Sequence, residues 1–251
     1  MIYMGSKNRL SKQIVPIIQN YIDKGCNGYL EPFVGGANII DKIECDNKIG
    51  SDIDKYVISV LIGLQQGIEP PKEVSKEFYI DVKNNPDKYS DFITGYIGYE
   101  LSFGAKWFGG YAKRDDAKHR GDIYSYKSCM KQAPNLKDIH FRTASFLDYS
   151  NLHGYVIYCD PPYKNTTKYK TGEFPYEQFY QWCREMSKDN VVIISEYSMP
   201  DDFEEFLLDK EDTLSYLYVE YMEDDTANIH NEIEGFVSNL CYRFKTQSEM
   251  P

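Results

Sequence analysis

Long apolar runs are missing from this chain of 251 residues. No uninterrupted stretch approaches the ~20 residues that a membrane-crossing helix needs, so a helical membrane span is not expected. Residues Met1 to Arg9 also lack the apolar segment of a secretory signal, and a cytoplasmic setting is expected. Histidine is scarce, with four in the chain and no pair at helical spacing. The six cysteines (Cys26, Cys45, Cys129, Cys159, Cys183 and Cys241) never form a CxxC pattern. A metal centre and a disulfide framework are therefore not expected. Positive charge is in short supply too, the net balance being −11. The acidity is local, however. From Pro200 to Gly235 thirteen Asp and Glu stand against the lone Lys210, which leaves the rest of the chain close to neutral. Internal repeats and low-complexity linkers are also absent.

What is present begins with enough apolar residues, 42% of the chain, to bury one sizeable core. The most informative segment is the run Tyr155-Val156-Ile157-Tyr158-Cys159 followed by Asp160-Pro161-Pro162-Tyr163. An apolar run of this length reads as a buried strand. Two prolines fix φ twice and remove two N–H donors, so the strand must stop there and the carbonyls of Asp160 and Pro161 lose their ladder partners. A carboxylate, a free carbonyl and the Tyr163 ring on one turn suit a planar amino group on a heteroaromatic base. Two acceptors take its hydrogens while the ring stacks.

A second strand end lies upstream at Tyr29-Leu30-Glu31-Pro32-Phe33-Val34-Gly35-Gly36-Ala37. Its small residues let the backbone turn tightly and approach a ligand. Roughly twenty residues on, Lys48 to Asp54 reads as a short strand ending in acids, where α/β nucleotide sites hold ribose hydroxyls. Asp52 is the candidate and Asp54 the rival. Either could instead cap the helix expected from Tyr56 to Leu64.

The remaining pattern predicts one Rossmann-like α/β sheet. Ser6 to Ile22 reads as a helix kinked at Pro16. Tyr176 to Lys188 reads as an amphipathic helix with Phe179, Trp182, Cys183 and Met186 on its core face. Val191 to Ser195 completes a strand, helix, strand crossover from the Asp160 turn. Leu214 to Tyr221 and Phe236 to Phe244 read as strands that pair antiparallel at one edge. Pro70 to Leu136 breaks the alternation, and the chain divides into a catalytic domain (1–69 and 138–251) and an inserted lobe (70–137).

The segments Tyr3 to Arg9, Glu31 to Ala37, Ser51 to Asp54, Tyr158 to Tyr163 and Ile194 to Tyr197 occur in an order that resembles the Dam-type (D12 class, alpha-group) DNA adenine-N6 methyltransferases. The likeness runs from Tyr3 to about Phe203. It implies a class I fold dependent on S-adenosylmethionine (AdoMet), with a seven-stranded mixed sheet flanked by helices and an inserted target-recognition lobe. It also implies methyl transfer to the exocyclic amine of an adenine flipped from double-stranded DNA. By the same resemblance Asp160, Pro161, Pro162 and Tyr163 are catalytic. Tyr3, Lys7, Glu31, Pro32, Phe33, Gly35, Gly36, Ala37, Asp52 and Asp160 lie at the cofactor, although Lys7 could equally be a surface lysine at a helix start. Either Ser145-Phe146 or Asp148-Tyr149 flanks the cofactor's adenine.

From Ser102 to Lys137 eight Lys and Arg face Asp115, Asp116 and Asp122, a basic island in an acidic chain, mixed with aromatics and four glycines. Lys106, Trp107, Tyr111, Lys113, Arg114, Lys118 and Arg120 are the expected DNA contacts. A cytosine-N4 methyltransferase would use the same amino-group chemistry, and a catalytically silent DNA-binding relative would keep the insert alone.

Overall fold

The computed structural model describes residues 1–112, 121–162, 174–196, 200, 204–208 and 215–220. A single 3-10 turn at Lys7–Arg9, capped by the Ser6 hydroxyl, leads into α1 (Ser11–Asp23). The helix expected from Ser6 to Ile22 is thus split at Leu10, and Pro16 lies within α1 without ending it. Then follow β1 (Gly28–Glu31), β2 (Lys48–Asp52), α2 (Lys55–Gln65), α3 (Lys76–Asn84), α4 (Asp91–Gly95), a π turn at Tyr96–Glu100, and α5 (Gly121–Gln132). The order closes with β3 (Ile139–Thr143), β4 (Tyr155–Cys159), α6 (Tyr176–Ser187), β5 (Val191–Glu196), β6 (Glu204–Leu208) and β7 (Ser215–Glu220).

The strands form one sheet in the order β3-β2-β1-β4-β5-β7-β6. The first five run parallel, while β7 is antiparallel to both β5 and β6. From β1 the chain winds outward through β2 to β3, then returns to β4 and winds the other way. The order therefore reverses between β1 and β4, and a crevice opens beyond their carboxyl ends. β1 ends at Glu31 and β4 at Cys159, so the two loops singled out by their sequences flank that crevice.

Apolar layers cover both faces, which explains why the inner strands read as unbroken apolar runs. Along β4, Val156 and Tyr158 join one cluster with α1 and α2, while Ile157 and Cys159 join another with α6, as the two-residue period of a strand requires. Phe179, Trp182, Cys183 and Met186 of α6 are buried in that second cluster, as their spacing predicts.

Residues 70–137 share the first cluster. Val74, Tyr79, Val82, Phe92, Tyr96, Ile97, Tyr99 and Leu136 pack with α1 and α2. Glycines make the contact close, since a Cβ at Gly95 would fall 2.4 Å from the carbonyl oxygen of Tyr56. The strand expected at Leu214 to Tyr221 is β7, and it pairs with β5 on one side and β6 on the other. Phe236 to Phe244 lies outside the described residues. No helix among the described residues is long and apolar enough to cross a membrane.

Candidate active site

A cleft of about 230 Å³ sits at the reversal point. Its walls come from Tyr3 to Lys7, Glu31 to Gly36, Asp52-Ile53, Ala144 to Leu147, Tyr158, Asp160 and Pro162. Loops separated by more than a hundred residues meet here because every parallel strand delivers its carboxyl end to the same edge.

Asp160 is the first residue past β4 and stays partly accessible. Lys7, buried in the 3-10 turn, brings its ammonium to 2.5 Å from Asp160 Oδ1 and also donates to the Gly5 carbonyl at 3.2 Å. The position of Lys7 at the cleft separates it from a surface lysine. Pro162 lines the cleft, and its carbonyl accepts a hydrogen bond from the Tyr176 hydroxyl at 2.9 Å. Pro161, expected at the site, is buried and is not among the residues that line the cleft. Tyr163 lies outside the described residues.

Glu31 is buried at the end of β1 and accepts a 2.6 Å hydrogen bond from the Tyr29 hydroxyl. Burial pushes its carboxyl well above the ordinary range, with Asp41 and Asp160 adding to the shift. Gly35 takes φ of 45°, in the left-handed region, and its N–H donates to Asp52 Oδ2 at 3.2 Å. Burial also raises the Asp52 carboxyl, to about 6, against the opposing pull of the Asp54, Gly35 and Ile53 N–H groups.

The two acids at the end of β2 have separate tasks. Asp54 caps α2, accepting from Tyr56 N at 2.9 Å, and does not line the cleft. Asp52 lines it. A similar separation occurs after β3, where Ser145 and Phe146 reach the cleft. Asp148 instead closes a capping box with Ser145, and Tyr149 is buried beneath.

Ala37 does not belong to the wall. It is fully buried at φ of 54°, and its carbonyl accepts from Gln132, so its small size serves packing. Several wall residues carry no clear mark in the sequence. Ile53 is 61% exposed and Leu147 is 40% exposed, and both of these apolar side chains line the cleft. An apolar residue directly after a strand-ending acid is the available signal for Ile53. Phe174 completes an aromatic layer with Phe33 and Phe146, at centroid separations of 5.6 and 5.9 Å.

The expected DNA contacts divide differently. Lys106 is exposed. Trp107 instead stacks on Tyr56 at 4.8 Å and packs against Tyr99 and Phe108, and Tyr111 packs on Tyr79 and donates to the Val74 carbonyl. Both rings, expected at DNA, are partly buried and make these contacts within the protein. The exposed aromatic of that loop is Phe103, at 71%. It stands on a turn closed by the Ser102 and Tyr111 bridge, with Gly104 and Gly110 at positive φ. Lys113, Arg114, Lys118 and Arg120 lie outside the described residues. Among the described residues no group of His, Cys, Asp and Glu is arranged to hold a metal ion.

Comparison with known proteins gives this chain a family. A relative is the Type II methyltransferase M.FokI of Planomicrobium okeanokoites, 24% identical over 208 residues and covering 72% of this chain. The chain spans about a third of that relative's length, 31%. Among solved structures, the putative methyltransferase yhhF of Escherichia coli overlaps 84% of this chain and 86% of its own at 7% identity and a TM-score of 0.37. SMU.472, a putative methyltransferase complexed with SAH, overlaps 71% of this chain and 48% of its own at 13% identity and a TM-score of 0.30. Over residues 3–234 the sequence matches the family description itself, and the chain belongs to the D12 class N6 adenine-specific DNA methyltransferases.

Proposed function

We propose that the chain methylates the N6 amino group of an adenine swung out of double-stranded DNA, using AdoMet as donor. The observation that carries this is one cleft lined both by the Gly35, Gly36 and Asp52 wall and by the Asp160 turn. The donor set fits AdoMet. A carboxylate at Asp52 suits ribose hydroxyls, glycine backbone allows close approach, and Ile53, Leu147 and Phe146 offer apolar surface for a flat base. Tyr3, Lys7, Glu31, Pro32 and Phe33 line the remainder. AdoMet, when bound, supplies a methyl group already activated by its sulfonium.

The chain's own task is then alignment, holding the adenine nitrogen and the methyl carbon about 3 to 3.5 Å apart and in line with the leaving sulfur. Adenine's amino lone pair is delocalised into the ring and is a poor nucleophile. The Asp160 carboxylate accepts a hydrogen from it, favours a more tetrahedral nitrogen and stabilises the positive charge that develops there. Lys7 holds Oδ1 and so helps to fix the carboxylate at the end of β4. Asp160 need not be a strong base, because the proton can leave after transfer. Tyr163 would stack on the flipped ring, recovering roughly 1 to 3 kcal/mol of the few that flipping costs.

Long-read sequencing of DNA from a methylase-free host expressing the chain tests this directly. N6-methyladenine in a defined context is expected, and N4-methylcytosine or unmodified DNA would overturn it.

The insert 70–137 carries DNA engagement in this proposal. Replacing Lys113 and Arg114 together with alanine is expected to weaken DNA binding and flatten its log–log salt dependence by up to about two units, with AdoMet affinity unchanged. Phe103→Ser should behave differently. It should lower DNA affinity by about tenfold through lost stacking and leave the salt slope alone. An unchanged slope and affinity in the double variant would remove these two residues from the interface, and an unchanged affinity in Phe103→Ser would do the same for the loop tip.

A further inference from the structure

Tyr99 lies in the π turn Tyr96–Glu100, at the start of the loop that presents Phe103. A π turn carries an extra residue per turn and is rare in ordinary helices. Here it places the Tyr99 ring between Tyr3 of the cleft wall, at 5.4 Å, and Trp107 of the loop, at 4.9 Å. The Tyr99 hydroxyl donates to Asp54 Oδ2 at 2.6 Å, and both residues are buried, each 6% exposed.

Asp54 passes this constraint on to Asp52. Its other oxygen caps α2 through Tyr56 N, and its own N–H donates to Asp52 Oδ1 at 2.9 Å. Asp52 Oδ2 accepts from Gly35 N at 3.2 Å. Gly35 in turn sits so close beneath Tyr3 that a Cβ there would fall 2.8 Å from the Tyr3 ring. The contacts close a circuit running from Gly35 through Asp52, Asp54, Tyr99 and Tyr3 back to Gly35.

A cap alone does not require this arrangement. Ser or Asn at position 54 would satisfy Tyr56 N equally well, whereas a buried carboxylate needs a donor for its second oxygen. We propose that Tyr99 is a positioning residue for the cofactor site: through Asp54 its hydroxyl fixes the aim of Asp52, tying the cleft to the DNA-facing insert. This rests on the assignment of the cleft to AdoMet.

Calorimetric titration with AdoMet tests it. Tyr99→Phe keeps the ring and removes only the hydroxyl, and should raise the AdoMet Kd about three- to tenfold. Asp54→Ser keeps the cap but is too short to reach Tyr99, and should match it even if Tyr99→Phe folds poorly. In an Asp52→Ala background Tyr99→Phe should have no further effect, because the residue it positions is gone. A Tyr99→Phe Kd equal to wild type would overturn the proposal, as would the same weakening in the Asp52→Ala background, since Tyr99 would then act elsewhere. Failure of the underlying assignment looks different: Asp52→Ala itself would bind AdoMet as tightly as wild type.

Discussion

Asp160→Ala is expected to slow methyl transfer by ~10²-fold or more while AdoMet still binds, the usual cost of removing a group aimed at charge that develops in the transition state. The carboxylate follows β4 directly, at a turn where two prolines forbid further pairing, so its place is set by the sheet itself. It is partly accessible and faces the cleft, while Asp52 occupies a different wall. Loss of Asp160 should therefore fall on the rate, with much less effect on cofactor affinity. Single-turnover transfer from labelled AdoMet gives the rate, and calorimetry gives the affinity. Activity within tenfold of wild type would sink the assignment. The 2.5 Å contact with Lys7 supplies a second check. If Lys7 works by holding Asp160, adding Lys7→Ala to Asp160→Ala should slow the reaction little further, because groups that act as a unit are not additive.

How much of this was legible in the sequence depended on whether composition or geometry decided each point. β4 and β5 are buried on both faces, so they stand out as apolar runs, and the acids that end them follow from where a parallel sheet ends. α6 was equally clear, because an apolar stripe recurring every 3.6 residues suits a helix packed on one face and no strand or loop. Local polarity could not choose between Asp52 and Asp54, or between Ser145 and Asp148, since a cap and a ligand-facing carboxylate use the same residue types. Backbone geometry made the choice, giving Asp54 and Asp148 to helix starts. Aromatic rings are ambiguous for a related reason. Trp107 and Tyr111 look the same in a sequence whether they stack on bases or on neighbouring rings, and packing adds that both touch neighbouring rings while Phe103 stands outside.

The second large effect separates the two acids that the sequence alone left ambiguous. Asp52→Ala should weaken AdoMet binding by about 1.5 to 3 kcal/mol, the scale of hydrogen bonds to a charged group. Asp54→Ala should weaken it less and act mainly on folding. It removes the α2 cap, worth about 1 kcal/mol, and leaves the buried Tyr99 hydroxyl without its acceptor. Calorimetry should then show the larger loss of affinity in Asp52→Ala, and thermal unfolding the larger loss of stability in Asp54→Ala. A reversed order would make Asp54 the ribose ligand. The pH dependence offers an independent check, because burial holds the Asp52 carboxyl near 6. Its charged form is the better acceptor for hydroxyl groups. Wild-type affinity should accordingly fall as pH drops through about 6, where the carboxylate takes up a proton. Asp52→Asn cannot titrate and should bind weakly but evenly across that range, so a pH step that survives the substitution would have to come from another group in the cleft.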